Sequence, residues 1–344
     1  MSVTPADLAA LSPTAFIAFL RDHDIRRFSL VHDPASGRVQ ASHPALEPLA
    51  EFVASDRRDF LDHEGAFFEL EPSHGVLYGA FVHRTRRGQA AGGVRFWRYD
   101  SVEEYVRDGL RLAVGMTRKN ALAGLWWGGG KGVMVAPPGL DVRDPDVRAG
   151  VYRGYGVFIT SLRGCYVTAE DVGTNVADMA QVFSTTRHTT CIPPELGGSG
   201  NPSVPTARGV VAGIEAALEF RGKGGIEGRS FAVQGCGNVG APLIRFLLER
   251  GAGTVEAADL DATHVERLVV ETRDPRLRAR AVERDDDSIL ATVCDVVSPC
   301  AVGGTLNPDT IPTVRADIVC GAANNQLLDS DRDDAALHER GILY

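Results

Sequence analysis

The chain has 344 residues, enough for two domains with full cores, and at 44% hydrophobic and 24% charged it has ordinary globular composition. A net charge of −9 and a pI near 5.5 exclude general attraction to nucleic acid or anionic membranes and point to small-molecule partners. No apolar run reaches membrane-spanning length, and residues 1–24, interrupted by Asp7, Pro13, Arg21 and Asp22, lack the form of a secretory leader, so a cytoplasmic protein is expected.

In chain order, the pattern predicts a short helix at 13–21, a strand at 27–31, a polar helical stretch, and a strand at 76–82. Ser101 with Glu104 forms a capping box for a helix whose apolar stripe runs through Val102, Tyr105, Val106, Gly109, Ala113 and Met116. Lys119 extends that stripe instead of pointing away from it. After Trp126 and Trp127 come Gly128-Gly129-Gly130-Lys131 and then an apolar strand at 133–136, ended by Pro137-Pro138, with Lys131 expected at the strand's mouth. Either setting is costly for a lysine. Desolvation lowers an ammonium pKa by roughly 3 to 5 units at full burial, turning a cation into a base. Taken singly, each lysine also fits a solvated residue beside a turn. A nucleotide P-loop is excluded, because Leu125 stands where it needs glycine and Gly132 where it needs a hydroxyl.

Helices and short strands alternate from 101 to 185. The glycine- and proline-rich segment 193–202 is expected to be a hinge between two α/β domains, 1–200 and 201–344. After a predicted helix at 206–220, the strand Phe231-Ala232-Val233-Gln234 leads into Gly235-Cys236-Gly237-Asn238-Val239-Gly240. A helix to Arg250 and a second strand ending at Asp259 follow. Strand, glycine fingerprint, helix, strand and terminal acid in this order predict a Rossmann-type, doubly wound dinucleotide-binding domain. Its glycines let backbone approach a pyrophosphate, the helix N-terminus donates to it, and Asp259 accepts from a ribose. An acid there favours NAD over NADP, with Arg250 nearby as a countervailing charge. The six cysteines are scattered without metal-ligand spacing, so neither a zinc site nor a disulfide frame is expected, and they are taken as reduced core thiols.

Five ordered motifs carry a resemblance. They are Gly92-Gly93-Val94-Arg95-Phe96, Gly115-Met116-Thr117-Arg118-Lys119-Asn120-Ala121, Gly128-Gly129-Gly130-Lys131, Thr168-Ala169-Glu170-Asp171-Val172-Gly173-Thr174 and Gly321-Ala322-Ala323-Asn324-Asn325-Gln326-Leu327. Together they resemble the glutamate/leucine/phenylalanine/valine dehydrogenase family, nearest to its leucine and valine members. The resemblance implies reversible NAD-dependent oxidative deamination of an L-amino acid to a 2-oxo acid and ammonia, by a homo-oligomer. It implies that Lys119 holds the substrate carboxylate, that Lys131 activates water and that Asp171 shuttles protons. Gly92, Gly93, Met116, Ala91 and Ala169 would line the substrate. Thr206, Gly235, Gly237, Asn238, Val239, Gly240, Asp259, Ala301 and Asn325 would hold the dinucleotide. Two nearby cations would each help keep the other deprotonated.

Where glutamate-specific relatives carry a carboxylate-binding lysine, this chain has Ala91, so an apolar substrate is expected, since an uncompensated buried charge is costly. Ala169 matches the leucine and valine members, where phenylalanine enzymes tend to carry glycine. Trp126 and Trp127 depart from the family's smaller residues and either reshape the pocket or belong to the core. Residues 43–75 are expected to be an insertion able to remodel the oligomer interface. The resemblance also implies a segment beyond Tyr344, with a substrate-contacting asparagine and a helix returning to the first domain. Its lack would leave an alternative reading, a catalytically impaired NAD-binding homologue acting as sensor or oligomer partner.

Overall fold

The computed structural model describes residues 5–344; residues 1–4, where the stretch read for a leader begins, lie outside it. The chain divides after Asn201 into two compact units, the break falling at the end of the glycine- and proline-rich segment.

The first unit contains, in order, α1 (Pro5–Ala9), α2 (Pro13–Asp22), β1 (Arg27–Asp33), β2 (Arg38–Ala41), α3 (Glu47–Ser55), β3 (Gly65–Leu70), β4 (Leu77–Arg84), β5 (Ala90–Phe96), α4 (Val102–Leu122), β6 (Gly128–Val135), α5 (Pro145–Ser161), β7 (Tyr166–Ala169) and α6 (Val176–Phe183). Its seven strands form one mixed sheet ordered β2-β1-β3-β4-β6-β5-β7, antiparallel as far as β6, with β5 running parallel to both β6 and β7. Side chains alternate across a strand, so the sheet buries two faces. Phe68, Phe81 and Val133 pack with Phe16, Leu49 and Tyr105 of α2, α3 and α4. Tyr78, Ala80, Val94 and Met134 pack on the other side with Tyr152, Tyr155 and Met179 of α5 and α6.

Residues 43–75 are not an appendage to this sheet. They supply α3 and the interior strand β3, which pairs with β1 on one side and β4 on the other. Polar composition around 56–64 disguises the fact that Ala66, Phe68 and Leu70 are all buried.

The second unit contains α7 (Ser203–Phe220), β8 (Ser230–Gln234), α8 (Gly240–Glu249), β9 (Thr254–Asp259), α9 (Ala262–Thr272), β10 (Leu277–Ala281), β11 (Val293–Pro299), β12 (Arg315–Val319) and α10 (Ser330–Glu339). Its sheet is wholly parallel in the order β10-β9-β8-β11-β12, the doubly wound arrangement whose strand order reverses at β8. Among the described residues no helix is long and apolar enough to cross a membrane.

Candidate active site

Lys131 lies inside β6, not at its mouth. The glycines before it read as a turn by composition, yet they are extended strand, and close neighbours leave no room for side chains on them, the Arg84 carbonyl oxygen at Gly128, Thr117 at Gly129 and the Tyr166 ring at Gly130. A Cβ on Gly130 would stand 2.7 Å from the Tyr166 ring, and one on Gly132 would overlap the Tyr155 hydroxyl. Lys131 shares the face of Val133, toward α4. Its side chain is 4% exposed and its Nζ is ion-paired with Asp171.

Asp171 comes from the loop after β7. Its backbone N–H donates to Thr174 Oγ1 at 2.8 Å, and Thr174 Oγ1 donates to the Val94 carbonyl at 3.2 Å, so the loop is stitched to β5. β5 approaches closely on its other side, since a Cβ on Gly92 would overlap the Gly130 carbonyl oxygen and stand 2.9 Å from Met116 Cγ. Gly92, Gly93, Met116, Lys131 and Asp171 are thereby brought together. Ala91 is buried in β5, and Ala169, half-buried at the end of β7, lies opposite Gly93 in the parallel ladder.

Arg95 completes the buried charge cluster. Its Nε is 3.6 Å from Asp171 Oδ2. Its Nη1 donates to both oxygens of Asp108, at 2.9 and 3.2 Å. Asp108 also accepts from the Tyr99 hydroxyl at 2.7 Å and from Arg111 at 3.2 Å. Burial pushes the Lys131 ammonium below the ordinary lysine range; Asp171 opposes that shift and Arg95 reinforces it. Burial acts upward on Asp171, but Lys131 and Arg95 together hold its carboxylate below the usual value. Its neighbour Glu170 moves the other way, pushed up to about 7 by burial and by the charges of Asp178 and Asp171.

Lys119 is not part of this buried group. The apolar stripe of α4 stops at Met116, and in the last turn Arg118, Lys119, Ala121 and Leu122 are exposed. The cation that holds the proton off Lys131 is therefore Arg95 and not Lys119. Asn120 beside Lys119 is buried and donates to the Gly128 carbonyl at 2.6 Å, which pins the end of α4 to the start of β6. Trp126 is 81% exposed, with the Arg87 guanidinium 5.6 Å from its ring centroid, so it does not belong to the core. Trp127 is half-buried.

Sequence reasoning missed Arg95, Asp108, Asn120 and Glu170 as members of this site. Asp108 had a visible signal. It stands three residues after Tyr105 and one before Gly109, a charge within a stripe that is otherwise apolar, and a buried charge needs a partner.

In the second unit the fingerprint turn joins β8 to α8. Gly235 has φ +99°, which favours glycine, and a Cβ on Gly240 would overlap the Gly235 carbonyl oxygen. Gly237 has no heavy atom within 4 Å of where its Cβ would stand. No side chain caps the start of α8 at Val239, although the Ala241 N–H is taken by the Gly237 carbonyl at 3.0 Å and Pro242 carries no N–H. Asp259 sits at the end of β9, accepting from the Cys236 N–H at 2.6 Å and the Asp261 N–H at 2.8 Å. Asn325 has φ +48° and a buried Nδ2 without a hydrogen-bond partner. Asn238 and Ala301 are exposed, and the half-buried Thr206 donates to the Pro202 carbonyl in the first turn of α7 at 2.8 Å. An open glycine, a helix start with no side-chain cap, a strand-end carboxylate and an orphaned amide fit the pyrophosphate and ribose of a dinucleotide. The six cysteines are free thiols, and burial pushes Cys236, Cys294 and Cys300 up to about 12. Among the described residues no group of side chains could hold a metal ion.

Residues 75–188 match the family model described as Glu/Leu/Phe/Val dehydrogenase, dimerisation domain. Residues 197–344 match the model for glutamate/leucine/phenylalanine/valine dehydrogenase. The leucine dehydrogenase of Geobacillus stearothermophilus is 43% identical over 284 residues, 82% of this chain and 74% of that protein. The valine dehydrogenase of Streptomyces coelicolor is 40% identical over 82% of this chain and 75% of its own length. Among solved structures, L-tryptophan dehydrogenase from Nostoc punctiforme superposes with a TM-score of 0.59 at 33% identity, covering 82% of this chain and 77% of that one.

Proposed function

The chain belongs to the glutamate/leucine/phenylalanine/valine dehydrogenase family, and on that premise we propose that it catalyses reversible NAD-dependent oxidative deamination of an apolar, branched-chain L-amino acid to its 2-oxo acid and ammonia. The observation that carries this reading is the buried Lys131 ion-paired with Asp171 in a cluster that lowers the lysine pKa.

When bound, NAD accepts the hydride from the substrate Cα, and the residues of the fingerprint turn, with Asp259 and Asn325, would hold it. The chemistry left to the first unit is hydrolysis of the resulting iminium. A neutral Lys131 takes a proton from water as the oxygen adds to that carbon. Asp171, within reach of Lys131 Nζ, relays the proton to the departing nitrogen, and ammonia leaves as the hydroxyl of the adduct gives its proton to the again neutral Lys131 and the carbonyl forms. Lys119, exposed one turn beyond Met116, is free to meet the substrate carboxylate, with Asn120 fixing its place on the helix. Ala91 presents a buried methyl where a charged side chain would find no partner, which favours leucine, isoleucine and valine. One methylene in such a pocket discriminates by only about 1 to 3 kcal/mol, so all three would be used.

The dimerisation description of the family model over 75–188 supports a homo-oligomer. No observation in the site favours the non-catalytic alternative, for the lysine, its carboxylate partner and the fingerprint turn are all formed. The test is NADH formation from NAD with leucine, valine, isoleucine, phenylalanine and glutamate, with Lys131→Ala as control. NADH from branched-chain substrates, lost in the variant, supports the reading. Binding of NAD without turnover of any amino acid overturns it.

A further inference from the structure

We propose that Arg95, clamped by Asp108, is a positioning residue for the reaction: its guanidinium orients the Asp171 carboxylate and sets how the proton is shared between Asp171 and Lys131. This rests on Lys131 being the base.

The geometry is that of a chain of alternating charge: Lys131, Asp171, Arg95, Asp108, Arg111. Arg95 leaves β5 two residues after Gly93 with its side chain 17% exposed. Its Nη1 is fixed by both oxygens of Asp108, whose remaining capacity is taken by Tyr99 and Arg111. Its buried Nε has no hydrogen-bond partner and faces Asp171 Oδ2 at 3.6 Å. That oxygen is also the one that meets Lys131. A small movement of Asp171 would close the Nε contact, so Arg95 limits where the carboxylate can sit while it trades a proton.

Charge counting gives the direction. With Lys131 protonated, the cluster holds the cations Lys131, Arg95 and Arg111 against the anions Asp171 and Asp108. Loss of the Lys131 proton brings it to balance, which a desolvated site favours. The other charged groups facing it do not change this order. Glu170, beside Asp171, accepts from Asn201 Nδ2 at 3.2 Å. Asp178 of α6, which acts on Glu170, is neutralised by Arg148 of α5 at 2.6 Å. Lys119 on α4 is exposed. Arg95 therefore lowers the affinity of Lys131 for its proton, while Asp108 raises it.

The two partners should then have opposite effects. In the full chain, the acid limb of kcat/KM for deamination should move to higher pH by roughly one unit in Arg95→Gln and to lower pH in Asp108→Asn. Arg95→Lys, which keeps the charge but not the two-pronged clamp, should hold the limb near its wild-type position and lower kcat. The same shifts can be read without turnover. The chain has only three lysines, at 119, 131 and 223, so side-chain labelling with nitrogen-15 follows the Lys131 titration directly by NMR. Opposite shifts in the two variants support the proposal even if the natural substrate is not an amino acid. Shifts of the same sign, or none in either variant while melting temperatures fall, would show that Arg95 and Asp108 only hold the fold, and would overturn it. If Arg95→Gln does not fold, Arg95→Lys and Asp108→Asn decide alone: an unmoved titration in Asp108→Asn overturns the proposal.

Discussion

Gly93 leaves the space that Asp171 occupies: a Cβ on Gly93 would stand 2.7 Å from the Asp171 Cβ and 2.6 Å from the Glu170 carbonyl oxygen. The absent side chain on β5 thus sets how close the loop after β7 can come to Lys131. In Gly93→Ala the backbone of Glu170 and Asp171 has to retreat, because the atoms it would meet are a carbonyl oxygen and a Cβ and not the far end of a flexible side chain. Overpacking of this kind costs about 1 to 3 kcal/mol of stability. A displacement of about 1 Å at a proton-transferring group can cost on the order of 100-fold in kcat. Steady-state kinetics and a thermal melt together check this. A folded variant with wild-type kcat would show that Asp171 does not need its present distance from Lys131.

Two glycines of the fingerprint turn should separate binding from folding. The Cβ of Gly237→Ala would meet nothing, so stability should stay within about 0.5 kcal/mol of wild type. If the pyrophosphate lies against that backbone, NAD affinity should fall at least tenfold, about 1.4 kcal/mol. Gly240→Ala would drive its methyl into the Gly235 carbonyl oxygen and should instead destabilise by about 1 to 3 kcal/mol. Calorimetric titration with NAD beside a denaturant melt reads both. Unchanged NAD affinity in a folded Gly237→Ala would place the dinucleotide elsewhere.

His63 and His83 make the first unit acid-sensitive. Their rings lie 4.8 Å apart, and burial pushes His63 down to about 3 and His83 to about 4. His63 Nε2 donates to the Leu110 carbonyl at 2.9 Å while its Nδ1 accepts from the Leu61 N–H at 3.2 Å. A second ring proton would meet that N–H head-on. The folded pKa is depressed, so the unfolded chain takes up protons first, and stability present above about pH 6.5 is lost as pH falls toward 4. Each fully buried histidine contributes a slope of about 1.4 kcal/mol per pH unit. Glu170, with its pKa raised, acts oppositely in this window and hides part of the effect in the wild type. Comparing urea melts of wild type and His63→Gln between pH 7 and 5, roughly the histidine window, cancels that contribution. The variant should be less stable at the higher pH and show the shallower slope, and equal slopes would mean that His63 is already charged.

The legible parts of this fold were those whose pattern is local. The period of α4, the strand before the fingerprint turn and the order of elements in the second unit follow from side-chain spacing that neighbours in the chain determine. What could not be read was set by contacts from elsewhere. Gly128-Gly129-Gly130 is strand because Tyr166 and the carbonyl oxygen of Arg84 crowd it, and nothing nearby in sequence announces them. Lys119 continues the spacing of the stripe, yet in the last turn of α4 it is Asn120 that faces the sheet and bonds the start of β6, which leaves Lys119 exposed. One compositional signal was stronger than spacing: only three of the 36 basic residues are lysines. In a chain that uses arginine wherever a permanent cation suffices, the lysine at 131 within a glycine motif marks a position where losing a proton matters.

Side-chain choice should depend on Ala169 and not on the tryptophans. Ala169 lies opposite Gly93 in the ladder, and on the proposed reading its methyl narrows the substrate pocket beside the Lys131–Asp171 pair. Removing it in Ala169→Gly should raise kcat/KM for phenylalanine relative to leucine by about tenfold, in keeping with the 1 to 3 kcal/mol that a methylene is worth in an apolar pocket. Trp126 is 81% exposed, with the Arg87 guanidinium over its ring. Trp126→Ala should therefore leave the leucine, valine and phenylalanine ratios within about twofold, since its effects are those of a surface substitution. The two variants are informative as a pair, measured on the same substrates. A change in preference from Trp126→Ala with none from Ala169→Gly would mean that the turn between α4 and β6 folds over the substrate, and that Ala169 lies outside the pocket.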